Sequence, residues 1–322
     1  MKLLVSAALA AAVVAPAAQL PQAAHGQKVS ILARRVATPT AFAFGDGKLF
    51  VGGYGDANKP TPPGGVYVVA GGRARLLAGA PAHVSGLAFA DGTLYVSGDD
   101  QLVALSSWNG GAFTRSRVVT AGPPGFSGFS GLAVGRDGWI YAGVANRLAG
   151  SDDYAAGTTP YANDVVRVDP ATGRMAVVST GLRQPWQLLF APGHAGPLVS
   201  DLGQDNLGDK RPPDFVVEAR PGADFGFPAC PARPATCAAY AKPFLQFPAH
   251  ASPMGLGYLD GRLYVALFTG LGKGPEVVSL PVRGGRVVPF LTRFPAPIIA
   301  LGTHGGRVYV GDAAGTIYSV AP

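Results

Sequence analysis

Acidic residues are scarce in this chain. Its 322 residues include 19 Asp and Glu against 26 Lys and Arg, a formal charge of +7. The bases are scattered, with only Arg34-Arg35 and Lys210-Arg211 adjacent, and no basic stripe alternates with aromatics. The charge therefore comes from missing acids, not gathered bases. That excludes a nucleic-acid face and leaves a mildly basic, solvated surface. Cysteine is nearly absent too: only Cys230 and Cys237 occur, flanking the Pro-rich loop PARPAT. After the N-terminus no long stretch repeats apolar residues at helical spacing, which excludes a helical fold. No later apolar run is long enough to span a membrane.

The N-terminus differs in kind. Met1-Lys2 gives a short basic start, Leu3 to Val14 is apolar, and Ala15-Pro16-Ala17 offers small residues for cleavage, with a second option near Ala24. Because the run is shorter than the ~20 residues of a spanning helix, residues 1–24 read as a secretory signal peptide cleaved between Ala17 and Ala24. Export to the periplasm or cell exterior would join Cys230 and Cys237 as a disulfide in an oxidising compartment.

What the chain has in abundance is turns: Gly 46 and Pro 29. One phrase recurs six times, as FAFGDGKLFVGG from Phe42, LAFADGTLYVSG from Leu87, LAVGRDGWIYAG from Leu132, LLFAPGHAGPLVSD from Leu188, LGYLDGRLYVAL from Leu256 and LGTHGGRVYVGD from Leu301. Gly and Asp tolerate the positive φ of tight hairpins, and the flanks are rich in β-branched and aromatic residues. The turn glycines Gly47, Gly92, Gly138, Gly196, Gly261 and Gly306 recur every 45 to 65 residues, near the length of a four-stranded propeller blade. The expectation is an all-β, six-bladed β-propeller of four-stranded antiparallel blades, one domain over residues 28–322. The last copy ends after three strands, so the apolar segment 28–36 is expected as its outermost strand, closing the ring through the N-terminus.

Propellers bind at one end of the ring axis, where each inner strand begins and the loop between second and third strands returns. Ahead of inner strands lie Thr38-Pro39, His83, Ser127, Arg183, His250 and Pro295. The returning loops carry Tyr54, Asp56, Asp99-Asp100, Asn146-Arg147, Asp201, Gln204, Asp205, Lys273 and Asp312. This mixture suits a polar or anionic small ligand, with or without a divalent cation. Each carboxylate alternatively satisfies loop backbone groups or water. The loops Asn146 to Asp164 and Asp201 to Asp214 are long; the second holds four Asp without EF-hand spacing.

The segment GLRQPWQLLFAPGHAGPLVSDLGQDNLGDKRPPDFVVEARPGADFGFP from Gly181 and the segment HASPMGLGYLDGRLYVALFTGLGK from His250 resemble the soluble quinoprotein glucose and sorbosone dehydrogenases. The resemblance implies a six-bladed propeller that oxidises sugars with pyrroloquinoline quinone (PQQ) and Ca²⁺. It implies that Arg183, Gln184 and Lys273 contact the quinone, with backbone carbonyls of Gly203 and Gln204 on the metal and Asp205 beside it. A quinone carboxylate needs cationic partners, and a substrate hydroxyl needs a base. Here the pattern breaks. The family's basic His falls on Ser127 and a following Arg on Gly131, while an Arg-x-Arg pair falls on Pro295 and Pro297. His83 and His250 are the remaining candidates for a base, or each is a His hydrogen-bonded to a loop carbonyl. Three readings follow: a PQQ-type sugar oxidoreductase with a degraded site; a non-catalytic secreted propeller binding a carbohydrate, an anionic ligand or a protein; and a lactonase or lyase propeller, for which Asn146, Asp99 and Asp201 would supply part of a metal set.

Overall fold

A computed structural model describes residues 20–55, 62–98, 100–145, 159–232 and 234–322. The signal-peptide segment up to residue 19, and Asp56, Asp99, Asn146 and Arg147, lie outside the described residues. Six antiparallel sheets follow one another along the chain, forming a six-bladed β-propeller.

The first blade runs outward through Pro39–Gly45, Lys48–Gly53, Gly65–Ala70 and Arg73–Leu76. Val84–Ala90, Thr93–Gly98, Gln101–Trp108 and Phe113–Ala121 form the second. The third comprises Leu132–Val134, Ile140–Val144, Asp164–Val168 and Met175–Thr180, with Ala223–Asp224 added in parallel at its outer edge. Blade four is Pro185–Leu189, Leu198–Asp201, Asp214–Glu218 and Leu245–Phe247. In blade five, Gln22–Ala23 pairs outside Pro253–Leu259, Arg262–Leu267, Glu276–Pro281 and Val288–Thr292. The sixth blade has Ile298–His304, Arg307–Asp312 and Ile317–Val320, and Ser30–Ala33 completes it as expected.

Both faces of each sheet are covered, which explains near-continuous apolar strands rather than strict alternation. One apolar cluster sits between each pair of neighbouring blades. Phe50, Val66 and Val68 of blade one meet Leu94, Val96 and Val103 of blade two. Phe42 and Val51 meet Ala33, Ala300 and Ile317 where blades six and one join. Replacing fully buried Phe50 by Ala would cost about 3–5 kcal/mol, the usual penalty for emptying a core aromatic site.

The hairpin turns follow their sequence chemistry. Asp46-Gly47, Asp91-Gly92 and Asp260-Gly261 place both residues at positive φ, the pattern of a type I′ turn. The fourth copy departs from expectation. Gly193 takes the positive φ of 87°, whereas Gly196 is held by packing: a Cβ there would come 1.8 Å from the Ala219 carbonyl oxygen.

The expected Cys230–Cys237 disulfide is formed, within two short helical turns, Ala229–Ala232 and Pro234–Ala239. No helix among the described residues is long and apolar enough to cross a membrane.

Candidate functional site

Inner-strand starts meet returning loops both within a blade and between neighbouring blades. The Tyr54 ring lies 5.4 Å from His83, and Ser127 Oγ donates to the Ala145 carbonyl. Ahead of blade five, His250 Nδ1 is 3.0 Å from Asp205 Oδ1 of the blade-four loop, and in blade six Ala313 N donates to Pro297 O at 2.7 Å.

Around the axis five inner strands contribute their second residues, Thr40, Ser85, Trp186, Met254 and Ile299, and Ser130, two residues ahead of Leu132–Val134, takes the place in blade three. Half of this ring is polar and satisfied by the next blade. Thr40 Oγ1 donates to Val84 O, Ser85 Oγ to Phe129 O and Ser130 Oγ to Pro185 O, each at 2.6 Å. The other half is an apolar cluster of Trp186, Met254 and Ile299, against which Leu202, Phe268 and Ala313 pack. Ser and Thr at that strand position were the available sequence signal for these inter-blade bonds.

The densest polar network belongs to blade four. Arg183, only 6 % exposed, donates from Nη1 to the Gly203 carbonyl oxygen and to Gln184 Oε1, both at 3.1 Å. Asp201 accepts from the backbone N–H of Gln184 at 2.7 Å and of Arg183 at 3.4 Å. Its burial pushes the carboxyl up to about 7, against the lowering effect of those N–H donors. Asp214 accepts from Gly203 N at 2.6 Å and Ser252 N at 2.7 Å, tying blade four to blade five; burial raises its pKa as well. His250 completes the loop contacts, with Nε2 3.3 Å from Gly208 O, and the Asp205 hydrogen bond raises its pKa.

The remaining sequence candidates sit apart. Lys273 is exposed and lines a depression with Gln22, Glu276 and Arg293 at the outer part of blade five, whereas Arg183, Gly203 and Gln204 line a different cavity. Asp312 is fully buried and bonded to Thr316 N and the Tyr318 hydroxyl, a role internal to blade six. Gly131 is a backbone contact point. Its N–H donates to Trp186 O at 2.6 Å, and a Cβ would come 2.5 Å from that oxygen, so no larger side chain fits without blades three and four separating. Among the described residues no group of three or more His, Cys, Asp or Glu could hold a metal ion.

No family model matches the chain, and no curated protein matches it. Solved structures do. A putative oxidoreductase (glucose dehydrogenase) of Thermus thermophilus superposes with a TM-score of 0.73 at 20 % identity, over 92 % of this chain and 100 % of that one. The PQQ-bound form of aldose sugar dehydrogenase from Streptomyces coelicolor gives 0.70 at 18 %, over 94 % and 99 %. This chain shares their fold. A putative gluconolactonase is similar at a TM-score of 0.63 and 15 % identity, over 94 % and 97 %. At these identities the likeness is one of fold, and it spans dehydrogenase and lactonase propellers alike.

The cavity that Arg183, Gly203 and Gln204 line was not anticipated from the sequence. Its volume is about 260 Å³, and its walls include Phe215, Phe225, Phe227 and Tyr240. The ADFGFP phrase and the Pro-rich disulfide segment were its only local signals.

Proposed function

We propose that the protein is an exported propeller of glucose-dehydrogenase fold that binds a small carbohydrate or anionic ligand without oxidising it through a quinone. The carrying observation is the bond from Arg183 to the Gly203 carbonyl. On the family resemblance that oxygen would face Ca²⁺ and that guanidinium would face PQQ; here the Arg183 Nη1 donates to that oxygen instead. The rest of the donor set agrees. Ser127 gives its proton to Ala145 O, Lys273 lies in a separate depression, and Pro295 and Pro297 provide no cation. His250 is engaged by Asp205 and Gly208. These residues do not fit PQQ with its metal, so no step through either is derived. The sequence signal for export and the formed disulfide support an oxidising compartment.

A second reading, PQQ-dependent aldose oxidation, is favoured by the fold shared with the PQQ-bound aldose sugar dehydrogenase. The two separate in one assay: purified protein incubated with PQQ and Ca²⁺, then dye reduction followed over a panel of aldoses. The binding reading expects no aldose-dependent reduction, together with a thermal shift from at least one sugar or organic anion. Aldose-dependent turnover would establish the second reading instead.

A further inference from the structure

We propose that the cavity at the outer edge between blades three and four binds a phenolic carboxylate: an aromatic body with a hydrogen-bond donor at its deep end and an anionic group at its mouth. This rests on the reading of the protein as a binding propeller and names the ligand class.

No inner-strand residue lines the cavity, which reaches outward from the blade-four network of Arg183, Asp201, Gly203 and Gln204. Phe215 comes from the third strand of blade four, Phe225 and Phe227 from the chain that leaves the parallel strand of blade three, and Tyr240 from the disulfide-closed segment. The roof is pinned from both sides. Phe225 N donates to Thr180 O at 3.0 Å, Phe227 N to Gly181 O at 2.9 Å, and Ala241 N to Asp224 O at 2.8 Å. Gly226, at a φ of 87°, lets the Tyr240 ring close in: a Cβ there would stand 2.6 Å from it. Aromatic walls held this way form a slot made before any ligand arrives, and a volume of about 260 Å³ suits a molecule of one or two rings.

The polar groups set the ligand's orientation. Gln204 is 4 % exposed; its Nε2 donates to Asn206 Oδ1, while Oε1 has no hydrogen-bond partner among the described residues. A buried acceptor left empty is costly, and a small turn of the Gln204 amide toward the cavity would give Oε1 a donor at the deep end. Arg183 already serves Gly203 and Gln184 there, and Asp201 stands beside it, so a second negative charge is poorly placed at that depth. At the mouth, Arg211 and Lys242 are exposed; Arg211 Nε donates to Leu207 O and Lys242 Nζ to Cys237 O, and their other N–H groups face a carboxylate.

The test is calorimetric titration with 4-hydroxycinnamate, cinnamate and 4-hydroxycinnamyl alcohol. Wild-type protein should bind 4-hydroxycinnamate about tenfold more tightly than cinnamate, the scale of one hydrogen bond to a buried acceptor. Gln204→Leu should erase that preference. The exposed pair Arg211→Glu and Lys242→Glu, which spares the core, should weaken the carboxylate about tenfold and leave the alcohol unchanged. A preference that survives Gln204→Leu, or a carboxylate indifferent to the charge reversals, would overturn the assignment. If all three fail to bind while a sugar shifts the melting temperature, this site is refuted and the binding reading stands. Quinone-dependent turnover with phenolic binding intact would refute the reading and leave the site.

Discussion

Arg183 Nη1 and the Gly203 carbonyl oxygen stand 3.1 Å apart, closing the returning loop of blade four onto the start of its inner strand. A guanidinium cannot lose its charge, so burying it demands fixed acceptors, and here the loop backbone supplies one. Arg183→Ala should lower stability by about 1.5–3 kcal/mol, the range of a charge-assisted hydrogen bond. Arg183→Lys should recover only part of it, because an ammonium cannot reproduce the planar fork that reaches Gly203 and Gln184 together. Urea unfolding checks both, and unchanged midpoints would show that the bond does not hold the loop.

Asp201 gives a pH dependence of definite sign. Burial raises its folded-state pKa from 3.8 to about 7. A carboxyl raised by folding contributes stability that is fully present below its unfolded value and lost as pH rises through the folded one. The wild-type protein should therefore lose a few kcal/mol relative to Asp201→Asn between about pH 4 and 8. Asp164, also raised to about 7, and His250, raised by Asp205, act in the same direction but are common to both proteins and cancel. Urea midpoints at both pH limits decide it; a difference that grows in favour of the wild type at high pH would contradict the assignment.

The N-terminal segment ties two blades. Gln22–Ala23 pairs with Thr292 and Leu291, Ala23 lies in the core between blades five and six, and Ser30–Ala33 completes blade six. Signal cleavage near Ala24 would discard the first of these strands, so on the proposed export the mature chain should begin before Leu20, after Ala17 or Ala18. Intact mass measures this directly, and a mature chain starting at His25 would contradict it. Deleting residues 20–24 should lower stability modestly, whereas deleting 28–36 should abolish folding or cost several kcal/mol by opening the edge of Ile317–Val320.

The Cys230–Cys237 bridge closes a short loop, which on chain-entropy grounds is worth about 2–3 kcal/mol to that segment. Because it sits in the cavity roof, the paired substitution Cys230→Ser and Cys237→Ser should abolish 4-hydroxycinnamate binding with a smaller effect on propeller melting. Binding that survives would show that the backbone bonds alone hold the roof.

The hairpins were legible because their determinants are local: Asp46-Gly47 and its counterparts encode the turn in two residues. Ring closure was legible by counting strands after His304, and the disulfide from two lone cysteines behind a signal-like N-terminus. Gly196 misled, since a glycine demanded by the nearby Ala219 carbonyl looks in sequence like one demanded by a turn. The direction of Arg183 was not legible either: its partner Gly203 is brought to it only by the pairing of Pro185 with Asp201. The aromatic cavity escaped for the same reason. Its walls come from blade four and from the irregular chain that follows Ala223–Asp224, which carries no periodic signal.

On the proposed function, Arg183 and the Gly203 carbonyl bond to each other rather than to a quinone and its metal. Calorimetric titration of Ca²⁺ into the purified protein, with and without PQQ, tests it most directly. We expect no saturable calcium heat in either case, and no gain in PQQ affinity from calcium. Saturable calcium binding that tightens PQQ would contradict the account.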